Sequence, residues 1–327
     1  MMAKKYVTVL TVAAVLILGI YSFGGSGGSL ENYPKDGDVT VIIPKSPGGG
    51  TDIAARGLLQ FLRGEIEGAN FVATNKPEGG GVTGMITTAD AKSDGYTLGM
   101  VTVELAMYPH QGKCPITYEE FAPICAPIAS PAALIVAAEA PYNTVEEFVS
   151  YCKAHPGEVQ VGNSGIGAIW HVAAVAFEKE FKVVFRHIPY PNGTSDIAAA
   201  LAGGHIDATL ADPAGFKSQV TAGNLKVLGV MADSRMKLYP DVPTFKELGY
   251  NMTIRAWAAL VAPKDTPEEI LAVLRNGASH LFENQEYIDY FLNQGIEPVN
   301  IVGEDCYRMM EEDHAMYGEL LADMELE

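Results

Sequence analysis

"IIPKSPGGGTDIAARGLLQFL", Ile42 to Leu62, joins an apolar run to an amphipathic one through Ser46, Pro47 and the consecutive glycines Gly48, Gly49 and Gly50. The apolar run, extended back to Val39, reads as a strand. Ala55, Leu58, Leu59 and Leu62 recur at the 3.6-residue spacing of a helix. Bare backbone between a strand end and a helix start has a chemical use. Glycine lets a ligand approach the chain closely, and the first turn of a helix offers unpaired N–H groups at the positive end of its dipole. Such a loop holds an anion without any cation.

The same design recurs twice. "GNSGIGA" (162–168) leads into "IWHVAAVAF", and "YPNGTSD" (190–196) leads into "IAAALAGG". Neither these loops nor the first carries the Gly-Lys-Ser/Thr ending of a phosphate-binding P-loop or the Gly-x-Gly-x-x-Gly spacing of dinucleotide sites. A small carboxylate therefore fits better than a nucleotide. A plain turn with a cap is the alternative for any single loop.

Strand-like and helix-like runs alternate along the chain. Strands are expected at 39–44, 95–103, 133–138, 159–164, 183–190, 206–212 and 225–233. Ile169, Val172, Ala173 and Ala176 mark another helical face. This alternation implies an α/β fold with largely parallel sheets. "TVEE" (144–147) and "TPEE" (266–269) resemble capping boxes, the second with Pro267 at the first helical position. Gly203-Gly204 ends the helix that starts near Ser195.

The first residues, "MMAKKYVTVLTVAAVLILGIYSFGGSGGS", place Lys4 and Lys5 before an apolar stretch from Tyr6 to about Phe23. Residues 1–29 read as a secretory signal or an uncleaved N-terminal anchor plus linker, so the folded part faces the outside of a cell membrane. The remaining length favours two lobes over one core. A hydrophobic content of 48% with 34 Gly and 19 Pro suits a globular protein. Net charge is −18, and the segment from Lys264 onward holds −13 of it, with 16 acidic against 3 basic residues. That balance disfavours nucleic acid. Cys114, Cys125, Cys152 and Cys306 have no metal-ligand spacing, so neither zinc nor another metal is expected. They read as buried thiols, with a Cys114–Cys125 disulfide as the alternative.

No catalytic constellation emerges. Ser164 and His171 do not sit in a nucleophile elbow, and His171 falls on or near an apolar helix face. Asp212 closes a strand before Pro213, and Glu104 follows another strand end. Both are cleft candidates with ordinary turn or helix-start alternatives. The chain is not expected to be an enzyme or to need a cofactor.

The blocks "IIPKSPGGGTDIAAR", "NKPEGGGVTG", "ADAKSDGYTLGM", "HIPYPNGTSDIAAALAGGHIDA", "AGNLKVLGVMADSRMKLYPDVPTFKELGY" and "AWAALVAPKDTPEEI", in this order, resemble the extracytoplasmic substrate-binding proteins of tripartite tricarboxylate transporters (Bug-type receptors). The resemblance runs from about Val39 into the C-terminal region. It implies a type II periplasmic-binding-protein fold with a ligand cleft between two α/β lobes joined by a double crossover. Lobe 1 would comprise 37–132 and 256–327, and lobe 2 would comprise 133–255. Crossovers would fall near Ser130 to Ala133 and near Arg255 to Trp257. The resemblance also implies a monomer that delivers a small carboxylate to a permease of one large and one small subunit.

Carried over by position, Ser46, Pro47, Gly48, Gly49, Gly50, Thr51 and Asp52 would bind from lobe 1, with Glu104 beside them. Asn163, Ser164, Gly165, His171, Tyr190, Asn192, Gly193, Thr194, Ser195 and Asp212 would bind from lobe 2. Glu104 stands where a Ser or Thr is common in the family, and Trp170 where small polar residues are usual. These departures favour a smaller carboxylate than citrate, or one with a donor group that Glu104 accepts. A sensor presenting its closed form to a membrane kinase is the alternative role. An enzyme acting on a small acid and a purely structural surface protein are more distant ones.

Overall fold

The computed structural model describes residues 33–190, 194–322 and 324. The signal or anchor expectation at 1–29 lies outside the described residues.

The chain opens with β1 (Val39–Ile43), α1 (Gly50–Glu65), β2 (Phe71–Asn75), α2 (Val82–Ala89), β3 (Thr97–Thr102) and the single turn α3 (Glu104–Met107). It continues through β4 (Phe121–Pro131), β5 (Ala133–Ala137), α4 (Val145–Ala154), β6 (Gln160–Asn163), α5 (Ile169–Phe181), β7 (Arg186–Pro189), α6 (Thr194–Ala202), β8 (Ala208–Ala211), α7 (Lys217–Thr221) and β9 (Leu225–Val230). It returns with β10 (Arg255–Pro263), α8 (Glu268–Leu281), α9 (Gln285–Asn293), β11 (Pro298–Val302) and α10 (Glu304–Ala322). Two sheets result, ordered β11-β4-β10-β3-β1-β2 and β7-β6-β8-β5-β9.

One core cluster lies on a single face of the first sheet, and a larger one runs from its other face into the second sheet. In α1 the expected face, Ala55, Leu58, Leu59 and Leu62, is buried. It packs in one cluster with Leu274 and Leu281 of α8, Phe291 of α9, and Val41 and Ile43 of β1. In the second sheet's layer, Phe177 of α5 lies 5.8 Å from Phe148 of α4 and 6.0 Å from Phe245 by ring centroid. Edge-to-face pairs of this kind add to the burial energy. Two helix starts away from the glycine loops are closed by side chains. Thr144 accepts from Glu147 N at 3.1 Å, one half of the box that "TVEE" predicts, while the Glu147 side chain accepts from Asn143 N instead of the cap's own N–H; Asn284 caps α9.

The chain passes between the sheets twice. Only Ala132 separates β4 from β5, and Ile254 precedes β10. The two passages are tied together: Ala132 N donates to Ile254 O at 2.8 Å, Met231 N to Ala132 O at 2.7 Å, and Ile254 N to Met231 O at 3.2 Å.

Two expectations need correction. The sheets are mixed rather than largely parallel. β1 pairs in parallel with β2 and β3, and β6 with β7 and β8, while β4, β5, β9, β10 and β11 form only antiparallel pairs. The strands entering and leaving the crossovers run straight through from the other sheet, so no helix intervenes to reverse them. "TPEE" is also not a capping box. Thr266 donates its hydroxyl to Pro263 O at 2.7 Å, and Pro267 takes the cap position. All four cysteines are buried free thiols.

Candidate functional site

The loop after β1 is built around a buried carboxylate. Asp52, 4% exposed, accepts from Gly48 N at 2.9 Å, from Arg56 Nε at 3.0 Å and from Asn75 Nδ2 at 2.8 Å. Asn75 Nδ2 also reaches Lys45 O at 2.9 Å. Burial works against the charge of Asp52, but these hydrogen bonds and the Arg56 guanidinium hold its carboxyl below the ordinary range. Asp52 is thus spent on the loop itself. Helix α1 then starts at Gly49 with no side-chain cap, leaving first-turn N–H groups without intrahelical partners.

Packing does not explain the glycine at Gly50. A Cβ there would meet nothing within 4 Å, and its φ lies outside the left-handed region. Gly48, at φ 81°, does need to be glycine. Ser46, Pro47, Gly48, Gly49 and Gly50 are all exposed, and Thr51 is partly so.

A second glycine turn stands beside this loop. Gly79, Gly80 and Gly81 take φ values of 63°, 72° and 105° between β2 and α2. Gly80 O accepts from Lys45 Nζ at 3.2 Å. The same ammonium lies 2.9 Å from Glu104 Oε1, and Thr102 donates its hydroxyl to Oε2. Burial alone would push Glu104 up, but Lys45 first and Thr102 next hold it below the usual glutamate value. Both oxygens of Glu104 therefore have a partner within the chain.

The loop after β6 satisfies much of itself. Asn163 Oδ1 accepts from Gly165 N at 3.0 Å, His171 Nδ1 from Gly167 N at 3.0 Å, and Ser164 Oγ from Trp170 N at 3.4 Å. His171 is 2% exposed. Burial and the neighbouring His187 push it down to about 4, so it is a neutral acceptor at physiological pH. Asn163 and His171 shape the loop more than they face outward. Trp170, the bulky departure from the family pattern, is buried. The cap residue of α5, Ala168, makes no side-chain cap of its own, although Ser164 takes the first-turn N–H of Trp170.

Tyr190 N donates to Asn163 O at 2.8 Å, which sets the third loop beside the second. Asn192 and Gly193 lie outside the described residues. Thr194 and Ser195 open α6, and the Thr194 methyl fills the space where Gly215 lacks a Cβ. Asp212 caps the turn Pro213–Phe216 by accepting from Ala214 N at 2.9 Å. Asp212 is half-buried, and burial pushes its carboxyl up to about 6 against the hydrogen bonds from Ala214 and Ser130. Ser130 belongs to the end of β4, so Asp212 sits beside the first passage between sheets.

The two halves meet at the second loop. Gln111 Nε2 donates to Gly167 O at 2.9 Å, and Lys113 Nζ to Ile166 O at 3.3 Å. Gln111 and Lys113 follow α3, at the carboxyl end of β3. Lys113 also lies 5.5 Å from the ring centre of Tyr108, the ring that borders Gly80. A continuous set of contacts thus links the ends of β1, β2 and β3 to the loop after β6. Lys45, Gly79–Gly81, Tyr108, Gln111 and Lys113 were not among the expected site residues. Lys45 lies in "IIPKSPGGGTDIAAR" and Gly79–Gly81 in "NKPEGGGVTG", which stand out as family blocks and carry no further signal for these residues.

A separate surface hollow of about 400 Å³ lies between Pro141 and Tyr151, with Glu146 and Glu147 in its wall. Those carboxylates make it unsuited to an anion. Among the described residues, no group of three or more His, Cys, Asp or Glu could hold a metal ion.

Residues 54–326 match the family described as "Tripartite tricarboxylate transporter family receptor". The chain is 27% identical to a UPF0065 protein of Bordetella pertussis, with 99% of each covered. It is 30% identical to the UPF0065 protein in the gbd 5' region of Cupriavidus necator, covering 88% of this chain and 86% of that one. The crystal structure of a TctC solute-binding protein from Polaromonas is similar at 35% identity and a TM-score of 0.78, covering 89% of this chain and 100% of that one.

Proposed function

The chain belongs to the tripartite tricarboxylate transporter receptor family, and from that premise we propose that it captures a small carboxylate between two lobes and delivers it to a permease of one large and one small subunit. The family is one of extracytoplasmic solute-binding receptors, not of enzymes. Residues 1–29 would carry the chain across the membrane or tether it there.

The observation that carries the carboxylate reading is the start of α1. Its cap position is a glycine without a side-chain cap, and Gly50 faces open space that no packing demand accounts for. Main-chain N–H groups there would take one carboxylate. The loop after β6 would approach from the other side, carried by the Gln111 and Lys113 contacts. The lobes would be 37–132 with 256–327, and 133–255. Their hinge would be Ala132 and Ile254, where three hydrogen bonds hold the passages side by side. A ligand touching both lobes shifts the population toward the closed form, which the permease reads.

The test is a thermal-shift screen of small mono-, di- and tricarboxylic acids, followed by calorimetry. A ligand at 100 times its Kd stabilises a protein by about 2.7 kcal/mol, so a true ligand raises Tm clearly. If no acid raises it, the reading falls.

A further inference from the structure

Lys45 stands one residue before Ser46, where the loop leading to the uncapped start of α1 begins. Its side chain is 29% exposed, whereas that of Glu104 behind it is 8% exposed. The ammonium is divided between Glu104 Oε1 at 2.9 Å and Gly80 O at 3.2 Å. The other ion pair of this wall, Arg56 with Asp52, is closed too, at 3.0 Å. At the loop before α1 the wall therefore presents main-chain N–H groups and paired charges, while Lys113, beside the Tyr108 ring, donates to Ile166 O. A ligand carboxylate seated on α1 would have Lys45 at the near end of the same loop, one residue before Ser46. A second carboxylate arriving there finds the cation already neutralised and a like charge close behind it.

We propose that Glu104 is a specificity-determining residue: by holding Lys45 in a closed ion pair, it admits a carboxylate whose far end is uncharged and turns away one that ends in a second carboxylate. This rests on the carboxylate reading above and deepens it. Glu104 acts through Lys45, so its signature is a change in selectivity rather than a general loss of binding.

The experiment compares straight-chain monoacids and diacids of four, five and six carbons on the wild type, Glu104→Gln and Glu104→Ser, by calorimetry at pH 8. The wild type should bind a monoacid more tightly than its diacid. Either folded variant frees Lys45 and should move the diacid-to-monoacid affinity ratio by tenfold or more toward the diacid, the scale of one charge-assisted contact. Lys45→Gln, the third variant, should move the ratio the opposite way or leave the diacid unbound, and it reads the proposal even if the Glu104 variants do not fold. A ratio that stays within a factor of two across folded variants overturns the proposal but leaves the carboxylate reading intact. So does a wild type that already prefers diacids. If no acid of any kind binds the wild type, the carboxylate reading itself fails.

Discussion

Asp313, on the C-terminal helix α10, accepts from Arg255 Nη2 at 2.8 Å, and Arg255 is the first residue of β10 after the second passage between sheets. Trp257 Nε1 donates to the other oxygen of Asp313 at 2.7 Å, and Tyr317 OH to Arg255 O at 3.3 Å. The last helix is thus fastened to the strand that leaves the hinge. Asp313 is 4% exposed, and its removal leaves a guanidinium and an indole N–H without their acceptor. Breaking a buried pair costs about 3–5 kcal/mol. Because Arg255 keeps 29% of its side chain in solvent, about 2–3 kcal/mol is the scale expected for Asp313→Ala. Urea denaturation measures it, and a loss below about 1 kcal/mol would show that solvent replaces the carboxylate.

Gly50→Ala separates a ligand site from a structural turn. Nothing lies within 4 Å of the new methyl group, and replacing a helix-start glycine stiffens the unfolded chain. Apo stability should hold or rise by about 0.5–1 kcal/mol. Ligand affinity should fall by tenfold or more, because the methyl occupies the space of the approaching carboxylate. Unchanged affinity in a stable variant would mean that the start of α1 holds no ligand.

Asp52 should behave differently, because it acts on the loop and not on the ligand. Asp52→Ala releases Gly48 N and leaves Arg56 and Asn75 to solvent. Loss of this carboxylate should cost about 1–3 kcal/mol of apo stability and weaken binding as well. The paired fall in Tm and affinity distinguishes it from Gly50→Ala, and intact affinity in the folded variant would contradict its role in shaping the loop.

These contrasts also explain what the sequence could show. The buried face of α1 was legible because a 3.6-residue repeat needs no partner to be seen. The glycine loops were legible because strand, glycine and helix follow within a dozen residues. β4 was not. Pro123, Pro127 and Pro131 argue against a strand, yet β4 pairs on both sides. The structure accommodates Pro127 at a register break, between the pairs Ala258–Ile128 and Leu260–Cys125, where an extra residue interrupts the ladder. Strand direction was hidden as well, since it depends on where the chain crosses between sheets. The Lys45–Glu104 pair joins residues 59 positions apart, so only the adjacency of β1 and β3 brings them together. Helical spacing puts His171 near an apolar face, but its bond to Gly167 N requires the loop to turn back over its own helix.

Asp212 supplies a pH signature with a definite sign. Its carboxyl is raised from 3.8 to about 6 in the folded protein. Between about pH 4 and pH 6 the folded state keeps a proton that the unfolded state has released, so this group's contribution to stability falls as pH rises. Above about 6 the cost of ionising this half-buried carboxylate is fully present. Asn at this position can accept from Ala214 N as Asp212 does, and has no proton to lose. Asp212→Asn should therefore match the wild type near pH 4 and exceed it above pH 6, by at most about 3 kcal/mol. His171 works with the opposite sign, since its lowered basicity means that the unfolded state takes up the extra proton between about pH 4 and 6.5. That contribution is common to both proteins and cancels in their difference. Denaturation of the two proteins at intervals from pH 4 to 8 gives the comparison, and a stability difference that does not vary with pH would show that Asp212 titrates as an ordinary carboxylate.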